Sequence, residues 1–79
     1  MEYIVRADFY PNGEIIPLGI TDCHGNSIYV NKVTETVRTK ENNIRFKCTT
    51  SGGRVFFLSF VKNKWTVSEI HNQHSIIQQ

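Results

Sequence analysis

Apolar and polar residues alternate with a period of two along most of this chain, the period of strands rather than helices. Tyr3, Val5, Ala7 and Phe9 share one face of an extended segment, with Arg6 and Asp8 on the other. Pro11-Asn12-Gly13 reads as a turn. Glu14 to Thr21 resumes as an extended segment in which Pro17 favours an edge or a kink. A second turn, Asp22 to Asn26, centres on His24-Gly25 and leads into a long strand, Ser27 to about Thr39, rich in Val, Ile, Tyr and Thr. After a turn at Lys40 to Asn43, Ile44, Phe46 and Cys48 alternate with Arg45, Lys47 and Thr49. Ser51-Gly52-Gly53 predicts a tight hairpin. Arg54 to Val61 then reads as an apolar strand, Lys62-Asn63 as a turn and Trp65 to Ile70 as the last strand. No segment keeps the i, i+3, i+4, i+7 apolar spacing of a helix, and the only alanine is Ala7.

Five or six short strands joined by tight turns predict an all-β fold, a small antiparallel SH3-like barrel or curled sheet. An OB-fold fits less well, because no helix is evident between strands. Residues 1–71 are expected to form a single β domain and residues 72–79 a polar C-terminal tail. The segment Val55-Phe56-Phe57-Leu58-Ser59-Phe60-Val61 is apolar on both faces. Either the barrel covers both of them, or an apolar patch remains for a partner.

A chain of 79 residues makes one domain. At this size only roughly 60–65% of the unfolded surface is buried, so a metal, a disulfide or a partner is a useful staple. With 39% hydrophobic and 11% aromatic residues the composition is globular rather than disordered. The N-terminal residues carry no basic leader followed by an apolar run. The longest apolar stretch, Val55 to Leu58, is far too short for a bilayer. These features predict a cytoplasmic protein with no membrane partner, its cysteines reduced or metal-bound. A net charge of +2 by itself implies no partner.

The turn centres also fix expected registers. His71 falls opposite Arg54, beside Thr50 and Ser51, and a long strand that runs its full length brings Ser27 and Ile28 to the same end. The Cys23-His24 tip, Cys48 and the His71-x-x-His74 pair then converge. Two thiolates and two imidazoles make a structural zinc site, so Cys23, Cys48, His71 and His74 are candidate ligands, with His24 as a substitute. Such a site would clamp the first hairpin and the chain end to a thin core. Two alternatives stay open: a buried Cys48 thiol with unrelated surface histidines, or a Cys23–Cys48 disulfide. A thiol enzyme is disfavoured because no third group orients a Cys–His pair. There is no P-loop, GxGxxG or HExxH, and the expectation is a protein that is not an enzyme.

Charge is uneven. Between Arg38 and Lys64 lie seven basic residues (Arg38, Lys40, Arg45, Lys47, Arg54, Lys62, Lys64) and one acid, Glu41. Small barrels with a basic face and exposed aromatics bind single-stranded nucleic acid through phosphate contacts and stacking. Tyr10, Tyr29, Phe56, Phe60 and Trp65 are the candidate stackers. The competing and favoured reading makes Arg45 and Lys47 a solvated outer face and the aromatics core. The partner-binding set expected from the basic stretch and the apolar strand is Arg45, Lys47, Arg54, Phe56, Phe60, Lys62 and Lys64.

At Arg6-Ala7-Asp8-Phe9, Asn12 to Leu18, Tyr29-Val30, Lys32-Val33, Ile44 to Cys48 and Trp65-Thr66-Val67 the chain resembles a family of small uncharacterised proteins of Gram-positive bacteria, their phages and mobile elements. The similarity spans most of residues 3–67 and is carried by strand residues, with no catalytic motif. It includes Cys48 but does not extend to Cys23, His71 or His74. The resemblance implies a compact β fold and a setting in which small non-enzymatic proteins block host enzymes. By analogy, it points to an inhibitor of the anti-CRISPR kind that binds the type II CRISPR effector nuclease. The alternative is a nucleic-acid-binding module using the basic stretch 38–64.

Overall fold

The structure, a computed structural model, describes residues 3–70. It contains six strands: β1 (Ile4–Phe9), β2 (Ile15–Thr21), β3 (Ser27–Arg38), β4 (Ile44–Thr50), β5 (Val55–Val61) and β6 (Lys64–Ile70). Each strand pairs antiparallel with the next, in the order β1-β2-β3-β4-β5-β6, and the sheet curls into a half-barrel. The all-β curled sheet expected from the alternation is therefore the fold.

The turns explain why the strands begin and end where they do. Four of them share one hydrogen-bond pattern, across Tyr10–Glu14, Asp22–Asn26, Thr39–Asn43 and Thr50–Arg54. In each, the fourth residue donates its N–H to the first carbonyl, and that fourth residue has positive φ: Gly13, Gly25, Asn42 and Gly53. This is the three-residue hairpin loop that needs a left-handed residue, which glycine or asparagine supplies at least strain. The fifth turn differs. Lys62 and Asn63 both have positive φ (52° and 64°), as a two-residue hairpin requires.

β3 divides its pairing between two neighbours. Ser27–Tyr29 pair with β2, and Val30–Arg38 pair with β4. Irregularities between Val30 and Lys32 and between Val33 and Glu35 interrupt the ladder there, and bulges of this kind bend a strand. β3 runs the full length expected of it but changes partner part-way, so that Ser27 and Ile28 face Thr21 and Ile20. The bend swings the β1–β2 hairpin across the inner face of β4–β6. Pro17 lies opposite Ala7, in the half of β2 that pairs with β1 alone and beside a β1–β2 irregularity. A missing N–H is tolerated in such a place.

Between hairpin and sheet lies the core of Ile20, Ile44, Phe46, Cys48, Phe56 and Leu58, flanked by half-buried Tyr3, Val5, Ile28, Trp65 and Val67. Edge-on ring contacts join the two parts: Tyr3 to Phe56 at 6.1 Å and Phe9 to Phe60 at 5.6 Å. At the far end, Arg38 Nη2 donates to the Gly13 carbonyl at 3.3 Å, tying the first turn to the end of β3. β1 and β6 do not pair. They face each other across a groove of about 600 Å³ lined by Tyr3, Ile4, Val5, Lys64, Trp65, Thr66 and Val67.

Candidate binding faces of the sheet

Strand periodicity sends alternate side chains outward, and the two halves of the sheet use that outer face differently. In β1–β3 the central row is Arg6, Gly19 and Tyr29, three residues that are direct cross-strand neighbours. The Arg6 guanidinium lies 5.2 Å from the Tyr29 ring centroid, a cation–π contact made across Gly19. Gly19 has to be glycine for this packing: a Cβ there would sit 2.8 Å from the Ile28 carbonyl oxygen and 3.2 Å from Arg6 Nη2. The β1–β2 irregularity leaves Leu18 without a facing partner. Around the Arg6–Tyr29 pair the aliphatic side chains stand in solvent. Ile4 is 68%, Leu18 41% and Tyr29 62% exposed, and Ile16 is exposed beside them. Tyr10 is exposed in the turn beyond β1, whereas Phe9, although partly exposed, turns to the inner side against Phe60 and Trp65.

The outer face of β4–β6 is basic and hydroxyl-rich. Arg45 faces Ser59, which faces Thr66; Lys47 faces Phe57, which faces Ser68; Val61 faces Lys64. The Arg45 guanidinium covers the Phe57 ring at 4.6 Å from its centroid. The acid on this surface is Glu35, opposite Lys47 on β3. No family model, characterised protein or solved structure matches this chain. The reading of these faces therefore rests on their geometry.

The structure separates the residues expected to form one partner-binding set. Arg45, Lys47 and Lys64 do lie on one outer face, and Lys62 stands exposed in the neighbouring turn. Phe56 does not join them. It is 1% exposed and packs in the core, because residues of β5 alternate and Phe56 takes the inward position. Phe60 also turns inward, its ring 4.8 Å from Trp65. Arg54 is committed elsewhere: Nε and Nη2 donate to the two Glu69 carboxylate oxygens at 2.8 and 2.9 Å, and its guanidinium covers the Phe56 ring. The hydrogen bonds that Arg54 donates to Glu69 raise the Arg54 pKa, with further support from the charges of Glu69, Tyr3 and Asp22.

The Asp22–Asn26 turn lies at the Arg54 end of the sheet: Tyr3 lines one hollow with Asp22 and Cys23 and packs on Phe56, the ring that Arg54 covers. Asp22 Oδ1 accepts from the backbone N–H groups of Asn26 and His24, both at 2.9 Å. The Asn26 bond first, and then the His24 bond, hold the carboxyl below its ordinary pKa. Cys23 is exposed on this turn, whereas Cys48 is 1% exposed inside the core. Both are free thiols, so the Cys23–Cys48 disulfide does not form. Burial pushes the Cys48 thiol up to about 11. Among the described residues no group of three or more His, Cys, Asp and Glu is placed to hold an ion. His71 and His74 lie outside the described residues.

Ile4, Leu18, Gly19 and Phe57 are the face residues that alternation alone does not single out. The unbroken run Ile15-Ile16-Pro17-Leu18 carried a signal for Leu18, since an apolar run without alternation loads both faces of a strand.

Proposed function

We propose that this chain is a non-enzymatic binding protein that docks on a partner protein through the outer face of β1–β3. One observation carries the reading. Of the seven large apolar side chains that stand exposed among the described residues, four (Ile4, Ile16, Leu18, Tyr29) stand on this outer face, and Tyr10 is exposed in the adjoining β1–β2 turn. Large contiguous apolar exposure marks interaction surfaces. A tyrosine and an arginine at its centre add the side chains that most often dominate binding energy. The Arg6–Tyr29 stack over Gly19 holds both in one orientation, which lowers the entropy lost on docking.

The partner proposed is a host enzyme, specifically the type II CRISPR effector nuclease, on the analogy drawn from the sequence resemblance. Binding there would act by occlusion, in the cytoplasm of the bacterial host. The test is plasmid cleavage by that nuclease with increasing amounts of the protein. The expected result is loss of cleavage at about one inhibitor per nuclease. Full cleavage in the presence of a large excess would remove this target. Inhibition that survives Leu18→Asp/Tyr29→Asp would remove this face.

A further inference from the structure

We propose that the outer face of β4–β6 binds single-stranded nucleic acid, independently of the docking face on β1–β3. Its charge is the first argument. Arg45, Lys47 and Lys64 point to one side of the sheet, and among the described residues none has a carboxylate within 4.0 Å. Arg38 and Arg54, the two cations of the basic stretch with structural tasks, are held by Gly13 and Glu69. Glu35 on β3 is the acid facing Lys47, and it leaves the three cations in excess.

Stacking is the second argument. The Arg45 guanidinium lies over the Phe57 ring, 4.6 Å from its centroid, and Arg45 is exposed, so a planar cation backed by an aromatic ring is open to a base. A base stacked there would extend an aromatic–guanidinium–base column, a mode by which proteins hold unpaired bases. Arg45 and Lys47 are two residues apart on one strand, about 6.7 Å, and Lys64 lies two strands over, about 9.5 Å across the sheet. Ser59 and Thr66 occupy outward positions between them, with Ser68 next along β6, and supply hydroxyls for phosphate oxygens or base edges. The face thus fits a flexible anionic strand with accessible bases better than a smooth acidic protein surface, which offers charge without a stacking partner.

Fluorescence anisotropy of a labelled oligothymidylate of about fifteen nucleotides, near the upper site size for a small β-barrel, tests this with the full chain. Binding is expected to weaken between about 50 and 200 mM salt with a log–log slope near −2, from three phosphate contacts on a single strand. Arg45→Glu/Lys47→Glu should weaken it more than tenfold at low salt with an unchanged melting temperature. Arg45→Lys separates charge from stacking: it should keep the salt slope yet lose several-fold in affinity, because an ammonium cannot stack as a guanidinium does. Absence of binding at low salt, equal affinity of Arg45→Lys and the natural protein, tighter binding of the matching duplex, or equal binding of labelled polyglutamate would each overturn the proposal.

Discussion

On the outside of β1–β3 stand Ile4, Ile16, Leu18 and Tyr29, with Arg6 laid among them. On the outside of β4–β6 stand Arg45, Lys47, Lys64 and a set of hydroxyls, with Phe57 beneath Arg45. Both faces carry an aromatic ring with a guanidinium against it, yet only the first leaves its apolar groups in water. The difference lies in what surrounds the ring. Long cationic side chains lay their methylene stems over apolar neighbours and keep the charge solvated. β4 supplies two such residues beside Phe57. β1 supplies one, Arg6, followed by the shorter Asp8, which cannot reach across to Leu18 or Ile4. Shielding is thus local, and an apolar residue on a strand is exposed or covered according to its cross-strand neighbours rather than its own hydrophobicity.

The largest expected effect tests the inward and outward sides of β5. Phe56→Ala empties a core position and should cost about 3–5 kcal/mol. Phe57→Ala removes only an outer, half-buried ring and should cost roughly 1 kcal/mol, the centre of the range for ordinary substitutions. Urea denaturation of both variants measures the gap, and equal costs would break the assignment of faces.

Next comes docking. Tyr29→Asp or Leu18→Asp should reduce partner affinity by about 100-fold, the range of hot-spot residues, while the melting temperature holds. Gly19→Ala should be the milder and mixed case. Its Cβ meets backbone at 2.8 Å, so the strands must separate, at about 1–3 kcal/mol of stability, and Arg6 is displaced from Tyr29. Calorimetric melting together with binding measures both effects. An unchanged protein would show that the close approach at Gly19 does not position the pair.

Much of this architecture could be read from the residues. The alternation of Ile44, Phe46 and Cys48 against Arg45, Lys47 and Thr49 is reproduced in their burial. Val55 pairs with Ile70, the register that the turn at Lys62-Asn63 predicts. The turns were legible because glycine and asparagine stand where left-handed backbone is needed. The division of β3 was not, because bulges carry no fixed residue signature and a one-residue irregularity re-aims every side chain beyond it. The same limit hid the exposed apolar face of β1–β3. Leu18 is exposed through an irregularity in pairing, and Gly19 is explained only by what crosses it in three dimensions. Phe56 and Phe57 are adjacent phenylalanines, and only the strand's partners on either side decide which of them is core.

The smallest expected effect concerns the thiols. Cys23 should react with a disulfide reagent in the folded protein and Cys48 only on unfolding. Because burial raises the Cys48 thiol from 9.0 to about 11, the unfolded chain loses that proton first as pH rises. Its contribution to stability is therefore full below pH 9 and lost as pH climbs toward 11. Denaturant midpoints across that range should fall in the natural protein and fall less in Cys48→Ala. Two reactive thiols at neutral pH in the folded state would contradict a core position for Cys48.

The contrast between the two faces is tested most directly by one paired measurement: the affinity of the effector nuclease for Leu18→Asp/Tyr29→Asp and for Arg45→Glu/Lys47→Glu, both checked for unchanged melting. Docking through β1–β3 predicts a loss of about 100-fold or more for the first variant and little change for the second. The reverse pattern, with the acidic substitutions on β4 abolishing binding and the β2–β3 variant binding normally, would contradict it.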